Sequence, residues 1–159
     1  MKKITTIFLS LFLLMNTSSA SQLTKCNNVT RENFTQEAPF GSLITTLVNG
    51  LKPTAFSKDW KTQSASFLQK MKTQDAKDLT GSASALFELY KLLNPKTMSK
   101  EWKTEKGAFL HGVSEVKSKE DLSRLLLLLV NNISPTYFTK EFKAQLESFK
   151  KTIGSLGMN

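Results

Sequence analysis

The sequence has little from which to build a catalytic centre. Its 159 residues include one cysteine and one histidine. A single Cys excludes an internal disulfide framework and a cysteine-built zinc site. A single His disfavours multi-histidine metal sites and leaves few routes to a His-based triad. There is no Gly-rich phosphate loop, no Gly-x-Ser-x-Gly elbow and no His-Glu-x-x-His. We therefore expect no catalytic set, no metal and no cofactor. Arginine is also scarce: only Arg31 and Arg124 are present, although Lys and Arg together number 22. Arg dominates base-edge readout and bidentate phosphate contacts, so nucleic acid is not an expected partner.

Acidic residues are outnumbered as well, 13 against those 22, which gives a net charge of +9. The apolar fraction of 40% is too high for a wholly disordered chain and suits one domain with an ordinary core.

Residues 1–20 read as a secretory signal peptide. Lys2 and Lys3 are followed by an apolar run from Ile7 to Met15, then Ser18-Ser19-Ala20. The run is well short of the roughly 20 residues that cross a bilayer. Cleavage after Ala20 leaves a chain of net charge +7 in the periplasm or outside the cell, two lysines having been removed from the +9. Residues 21–40 form a polar lead-in with little periodicity. It holds Cys26, a lone thiol that either stays free or links two chains, so the expected state is a monomer or a Cys26 dimer.

The most informative feature lies in residues 41–159. Segments 47–61, 89–103 and 129–143 align without gaps at spacings of 42 and 40 residues. Each has Leu at its head (Leu47, Leu89, Leu129) and a Pro six positions on (Pro53, Pro95, Pro135). A hydroxyl follows (Ser57, Ser99, Thr139), then Lys (Lys58, Lys100, Lys140), an acid (Asp59, Glu101, Glu141), an aromatic (Trp60, Trp102, Phe142) and Lys again (Lys61, Lys103, Lys143). Phe67, Phe109 and Phe149 fall seven residues after the aromatic. A period near forty suits one helix pair per unit.

Apolar residues before each Pro recur at i, i+3, i+4 and i+7, as in Ile44, Leu47, Val48 and Leu51. The residue before Pro avoids the helical region, so the first helix of each pair ends there. Ser57, Ser99 and Thr139 stand where an N-cap belongs, and the acid two positions on matches the positive helix start. Trp60, Trp102, Phe142, Phe67, Phe109 and Phe149 are expected to form the buried stripe of the second helix. The expected fold is all-α: three tandem helix pairs, with helices near 42–51, 57–72, 77–93, 99–116, 119–133 and 139–156. Three units can stack as a short open array or close into a bundle.

Six lysines occupy two repeated positions at the helix starts: Lys58, Lys61, Lys100, Lys103, Lys140 and Lys143. A cation there opposes the macrodipole at a cost of roughly 0.3–1 kcal/mol. An anionic partner would offset that cost. The leading expectation is thus a non-enzymatic binding protein whose basic face meets a protein or an anionic surface such as phospholipid or lipopolysaccharide. One alternative is a carrier of a hydrophobic ligand such as a lipid. Its pocket would be lined by the fifth helix through Leu122, Leu125, Leu126, Leu129, Val130 and Ile133, because Leu125–Val130 is apolar on every side. The other is a small hydrolase using His111.

Overall fold

The computed structural model describes residues 40–157 except Ala76; the expected signal peptide and residues 21–39 of the expected lead-in, Cys26 among them, lie outside the described residues, while Phe40, expected in the lead-in, opens the first helix. The chain is all-α. Among the described residues the helices are α1 (Phe40–Gly50), α2 (Trp60–Thr73), α3 (Leu79–Leu92), α4 (Trp102–Ser114), α5 (Lys119–Asn131) and α6 (Lys140–Ser155). Odd and even helices pair as hairpins: α1 with α2, α3 with α4, and α5 with α6. Within each pair a 3₁₀ turn opens on the Pro: Pro53–Ala55, Pro95–Thr97 and Pro135–Tyr137. Proline fits because its φ is preset for a tight turn and its missing N–H has no partner to lose there.

The segments flanking the three turns close the chain on itself. Leu51 bridges Phe138, Leu93 bridges Phe56, and Ile133 bridges Met98, each antiparallel. Two backbone hydrogen bonds make each bridge. The Lys52 N–H donates to the Tyr137 carbonyl (2.8 Å) and the Thr139 N–H to Gly50 (2.9 Å). The Asn94 N–H donates to Ala55 (2.8 Å) and Ser57 to Leu92 (2.9 Å). The Ser134 N–H donates to Thr97 (2.8 Å) and Ser99 to Asn132 (2.7 Å). Positions 50, 92 and 132 are equivalent in the aligned segments, and so are 57, 99 and 139. Each unit therefore bonds to the one before it, and the first bonds to the third. The helix pairs form a closed ring with threefold recurrence, not an open array.

The odd helices face inward. Leu43, Ile44, Leu47, Leu86, Leu89, Leu126 and Leu129 are at most 2% exposed and share one core. The even helices lie outside and contribute a single stripe each. In that stripe Trp60 meets Phe67 (6.0 Å), Trp102 meets Phe109 (5.3 Å) and Phe142 meets Phe149 (5.2 Å), ring centre to ring centre. Edge-to-face aromatic pairs of this kind are worth about 0.5–1.5 kcal/mol beyond the area they bury. Trp60 is the exception to the expected burial: it is half-buried, stacked on Phe56 at 4.2 Å.

Helix starts differ from the expectation in two of three units. Thr139 does cap α6, its hydroxyl accepting from the Phe142 N–H at 3.2 Å. In α2 and α4 the first turn is tighter, with i→i−3 bonds such as Trp60 N–H to the Ser57 carbonyl, and the helix proper starts at Trp60 and Trp102. The reason lies across the ring. Ser99 spends its hydroxyl on the buried Asn132 side chain (3.1 Å). Leu92 stands at the position equivalent to Asn132, so the Ser57 hydroxyl is buried without a partner. Helix α5, although apolar on every side from Leu125 to Val130, is not buried on every side. Leu122, Leu125, Leu126, Leu129 and Val130 are buried, but Leu127 and Leu128 are half-buried and Arg124 is exposed.

Candidate functional site

Ring closure gathers the three turns at one end of the domain. Odd helices run toward that end and even helices run away from it. Thr97 Oγ donates to the Ala55 carbonyl at 2.7 Å, and both residues are wholly buried. Positions 55 and 97 are equivalents, and equivalents that touch must lie near the axis of the ring. Tyr137 occupies the third such position and is half-buried. Pro53, Pro95 and Pro135 are exposed beside this centre.

Lysines surround it. Lys58, Lys100 and Lys140 are exposed one residue after the bridging positions, and Lys61, Lys103 and Lys143 are exposed near the starts of α2, α4 and α6. The ring thus brings together all six lysines singled out by the sequence pattern at one end of the fold. It adds two more. Lys52 and Lys96 are also exposed there, and Lys52 Nζ donates to the Thr136 carbonyl at 2.7 Å. Neither recurs in the other units, which is why repetition could not find them. A different signal was available: segments 52–58, 94–100 and 134–140 hold five lysines and no acid. None of these eight lysines sits in a salt bridge among the described residues.

The electrostatics of this end correct one expectation. The sequence pattern points to an anionic partner as what offsets the cost of lysine at a helix start. The Ser57, Ser99 and Thr139 N–H groups bond the carbonyls of Leu92, Asn132 and Gly50, at the C-terminal ends of α3, α5 and α1. Each of Lys58, Lys100 and Lys140 therefore follows a residue docked on the negative end of a neighbouring helix. The cost at one helix start is offset by the favourable end of the next helix. Helix ends of both signs meet here, and the exposed side chains add eight lysines against Asp59, Glu101 and Glu141. Three acids lie just behind the turns. Of these, the Glu101 carboxyl is held below the usual range by its own backbone N–H, then by the Ser99 hydroxyl, with a smaller push from Lys100.

The residues of the alternative readings are placed elsewhere. Leu122, Leu125, Leu126, Leu129, Val130 and Ile133 are between 0% and 6% exposed and pack in the common core. Leu125 also lines a shallow depression of about 240 Å³ with Gly112, Glu115, Asp121 and Arg124, at the end opposite the turns. His111 is exposed on α4, its Nδ1 at 3.3 Å from the Glu115 carboxylate. The neighbouring Ser114 hydroxyl donates to the His111 backbone carbonyl (2.7 Å), not to its ring. Among the described residues no group of three or more metal-ligating side chains comes together. No helix there is long and apolar enough to cross a membrane. No protein family, curated protein or solved structure matches this chain.

Proposed function

We propose that the protein is a secreted or periplasmic, non-enzymatic binding protein that meets an anionic macromolecule or surface with the lysine-ringed end of its helical ring. One observation carries this reading: five lysines converge on the three turns with no acid among them and no salt bridge to neutralise them. A concentration of one charge sign is self-repulsive, and a bound anion relieves it. The rest of the surface is mixed. At the opposite end Asp75, Asp78, Glu115, Glu120 and Asp121 are interspersed with Lys77, Lys117 and Lys119.

The test is binding of the mature protein to a soluble polyanion such as polyglutamate, followed across salt concentrations. Replacing Lys58, Lys61, Lys100, Lys103, Lys140 and Lys143 by Gln should weaken binding and flatten its salt dependence, because fewer ions are displaced. Unchanged affinity and unchanged salt dependence in a folded variant would refute the reading.

A further inference from the structure

We infer that the partner of the lysine-ringed end is the surface of an anionic phospholipid bilayer, on which the domain stands with its ring axis along the membrane normal. The inference rests on the binding role proposed above and specifies its partner.

Geometry comes first. The three bridges relate the turn segments by rotation about one axis, so equivalent lysines stand at one level around it. Lys58, Lys100 and Lys140 form such a set, and Lys96 and Lys52 are exposed in the same turn segments. A ring of charges at one level matches a plane of opposite charge. A linear polyanion can engage only part of such a ring at once, whereas a plane meets all of it.

Side-chain chemistry points the same way. The cations are all lysines, which act as point charges and demand no bidentate geometry. A fluid sheet of headgroups offers many loosely placed anions, and a juxtamembrane lysine is attracted to it without a fixed partner. The centre of the ring is uncharged. Ala55, Thr97 and Tyr137 occupy it, with three exposed prolines beside them. An aromatic ring with one polar tip is favoured at the level of the headgroups. The three turn segments themselves hold no acid; Asp59, Glu101 and Glu141 follow directly behind them and are outnumbered by the lysines around them.

The experiment compares two variants of equal charge. One carries Lys58→Gln, Lys96→Gln, Lys100→Gln and Lys140→Gln at the turns; Lys52 is kept because its Nζ bonds the Thr136 carbonyl. The other carries Lys72→Gln, Lys77→Gln, Lys117→Gln and Lys151→Gln at the opposite end, where all four are exposed. Circular dichroism and melting first establish that both are folded. Binding is then read by co-sedimentation with vesicles of equal parts phosphatidylglycerol and phosphatidylcholine, and with pure phosphatidylcholine. Each lysine held at the surface is worth about a fivefold change in partition, so the turn variant should bind the anionic vesicles several-hundredfold less tightly, roughly, at low salt. The opposite-end variant should keep most of its binding, and neither should bind pure phosphatidylcholine. Equal losses in both variants overturn the orientation. Lysine-dependent binding to polyglutamate with none to anionic vesicles overturns the lipid surface and leaves the basic end as a protein-binding site. Binding to neither overturns both.

Discussion

Replacing Gly50 by Ala tests whether the ring closes. Gly50 is the last residue of α1 and lies against α6. A β-carbon built on it would stand 2.3 Å from the Phe142 Cγ and Cδ2 atoms. Carbon atoms prefer about 3.5–4.0 Å, so either the ring or the helix must move by more than an ångström. The Phe142 ring has little room to swing. It is 7% exposed and wedged between Phe138 (5.4 Å) and Phe149 (5.2 Å). Overpacking of this kind costs about 1–3 kcal/mol. Against it stands the usual helical advantage of Ala over Gly, at most about 1 kcal/mol and less at a helix end.

The net expectation is a loss of about 1–2 kcal/mol, which lowers Tm by roughly 4–8 °C in a domain of this size. Gly107 in α4 supplies the control. A β-carbon there meets nothing within 4 Å, so Gly107→Ala should stabilise by up to about 1 kcal/mol. Thermal and urea unfolding followed by circular dichroism measure both. A second arm uses Phe142→Leu, which vacates space: Gly50→Ala should cost less in that background, with a coupling above about 0.5 kcal/mol. If Gly50→Ala raises Tm as Gly107→Ala does, α1 does not pack on α6 in solution and the closed ring is wrong.

Four further outcomes can be measured by the same unfolding experiments. Trp102 is 6% exposed and packed on Tyr90 and Phe109, so Trp102→Ala should cost on the order of 3–5 kcal/mol, with the half-buried Trp60→Ala costing clearly less; equal costs would show that Trp60 is as enclosed as Trp102. Asn132→Ala removes the amide oxygen that accepts from the Ser99 hydroxyl and the amide N–H groups that donate to Glu105 and the Leu128 carbonyl, and should cost about 1–3 kcal/mol, whereas Ser57→Ala should be neutral or stabilising because that hydroxyl has no partner. Ser118→Ala removes the cap of α5 and should cost about 0.5–2 kcal/mol. Its capping partner Asp121 has a carboxyl held low, first by the Lys117 N–H and then by the Ser118 hydroxyl. A depressed folded-state pKa contributes stability above the unfolded value, and that contribution is lost as pH falls through the folded one. The stability gap between wild type and Asp121→Asn should therefore be flat near neutrality and close in acid; a gap that persists at full size in strong acid contradicts the assignment.

The helices and their pairing were legible because the apolar stripes are long and the Pro–hydroxyl–aromatic punctuation recurs at fixed spacing. The direction in which the three pairs pack was not. Closure is carried by backbone hydrogen bonds at positions 50, 92 and 132, which the sequence fills with Gly, Leu and Asn. Three residues with nothing in common give no pattern to read. The same unlikeness explains the misplaced caps, since the hydroxyl opposite each of these residues finds an amide at Asn132 and none at Leu92. Two of the eight lysines of the candidate site shared this fate. Recurrence picked out six lysines, and passed over Lys52 and Lys96 because their equivalents are Asn94 and Ser134, and Thr54 and Thr136.

Closure also explains how the charges are distributed, and ties the candidate site to the fold. An open array leaves its first helix with one face to solvent, and such a face is normally charged. Helix α1 contains no charged residue at all, and seven of its residues are buried. That composition suits a helix covered by α2 on one side and α6 on the other. With the odd helices inside, most of the charges are left to the even helices, the turns and the far-end loops; α3 carries only Glu88 and Lys91, and the charges of α5 lie in its first half, from Lys119 to Arg124. The even helices all start at the turns, so closing the ring draws their first lysines to one end. In an open array the first and third sets would be separated by the width of the stack. Binding to a polyanion should therefore depend on closure as well as on lysine content. A Gly50→Ala protein that remains helical but has lost the α1–α6 contact keeps every lysine, yet its affinity for polyglutamate should fall toward that of the six-lysine variant. Affinity equal to wild type in such a protein would mean that the lysines act singly and that their convergence is incidental.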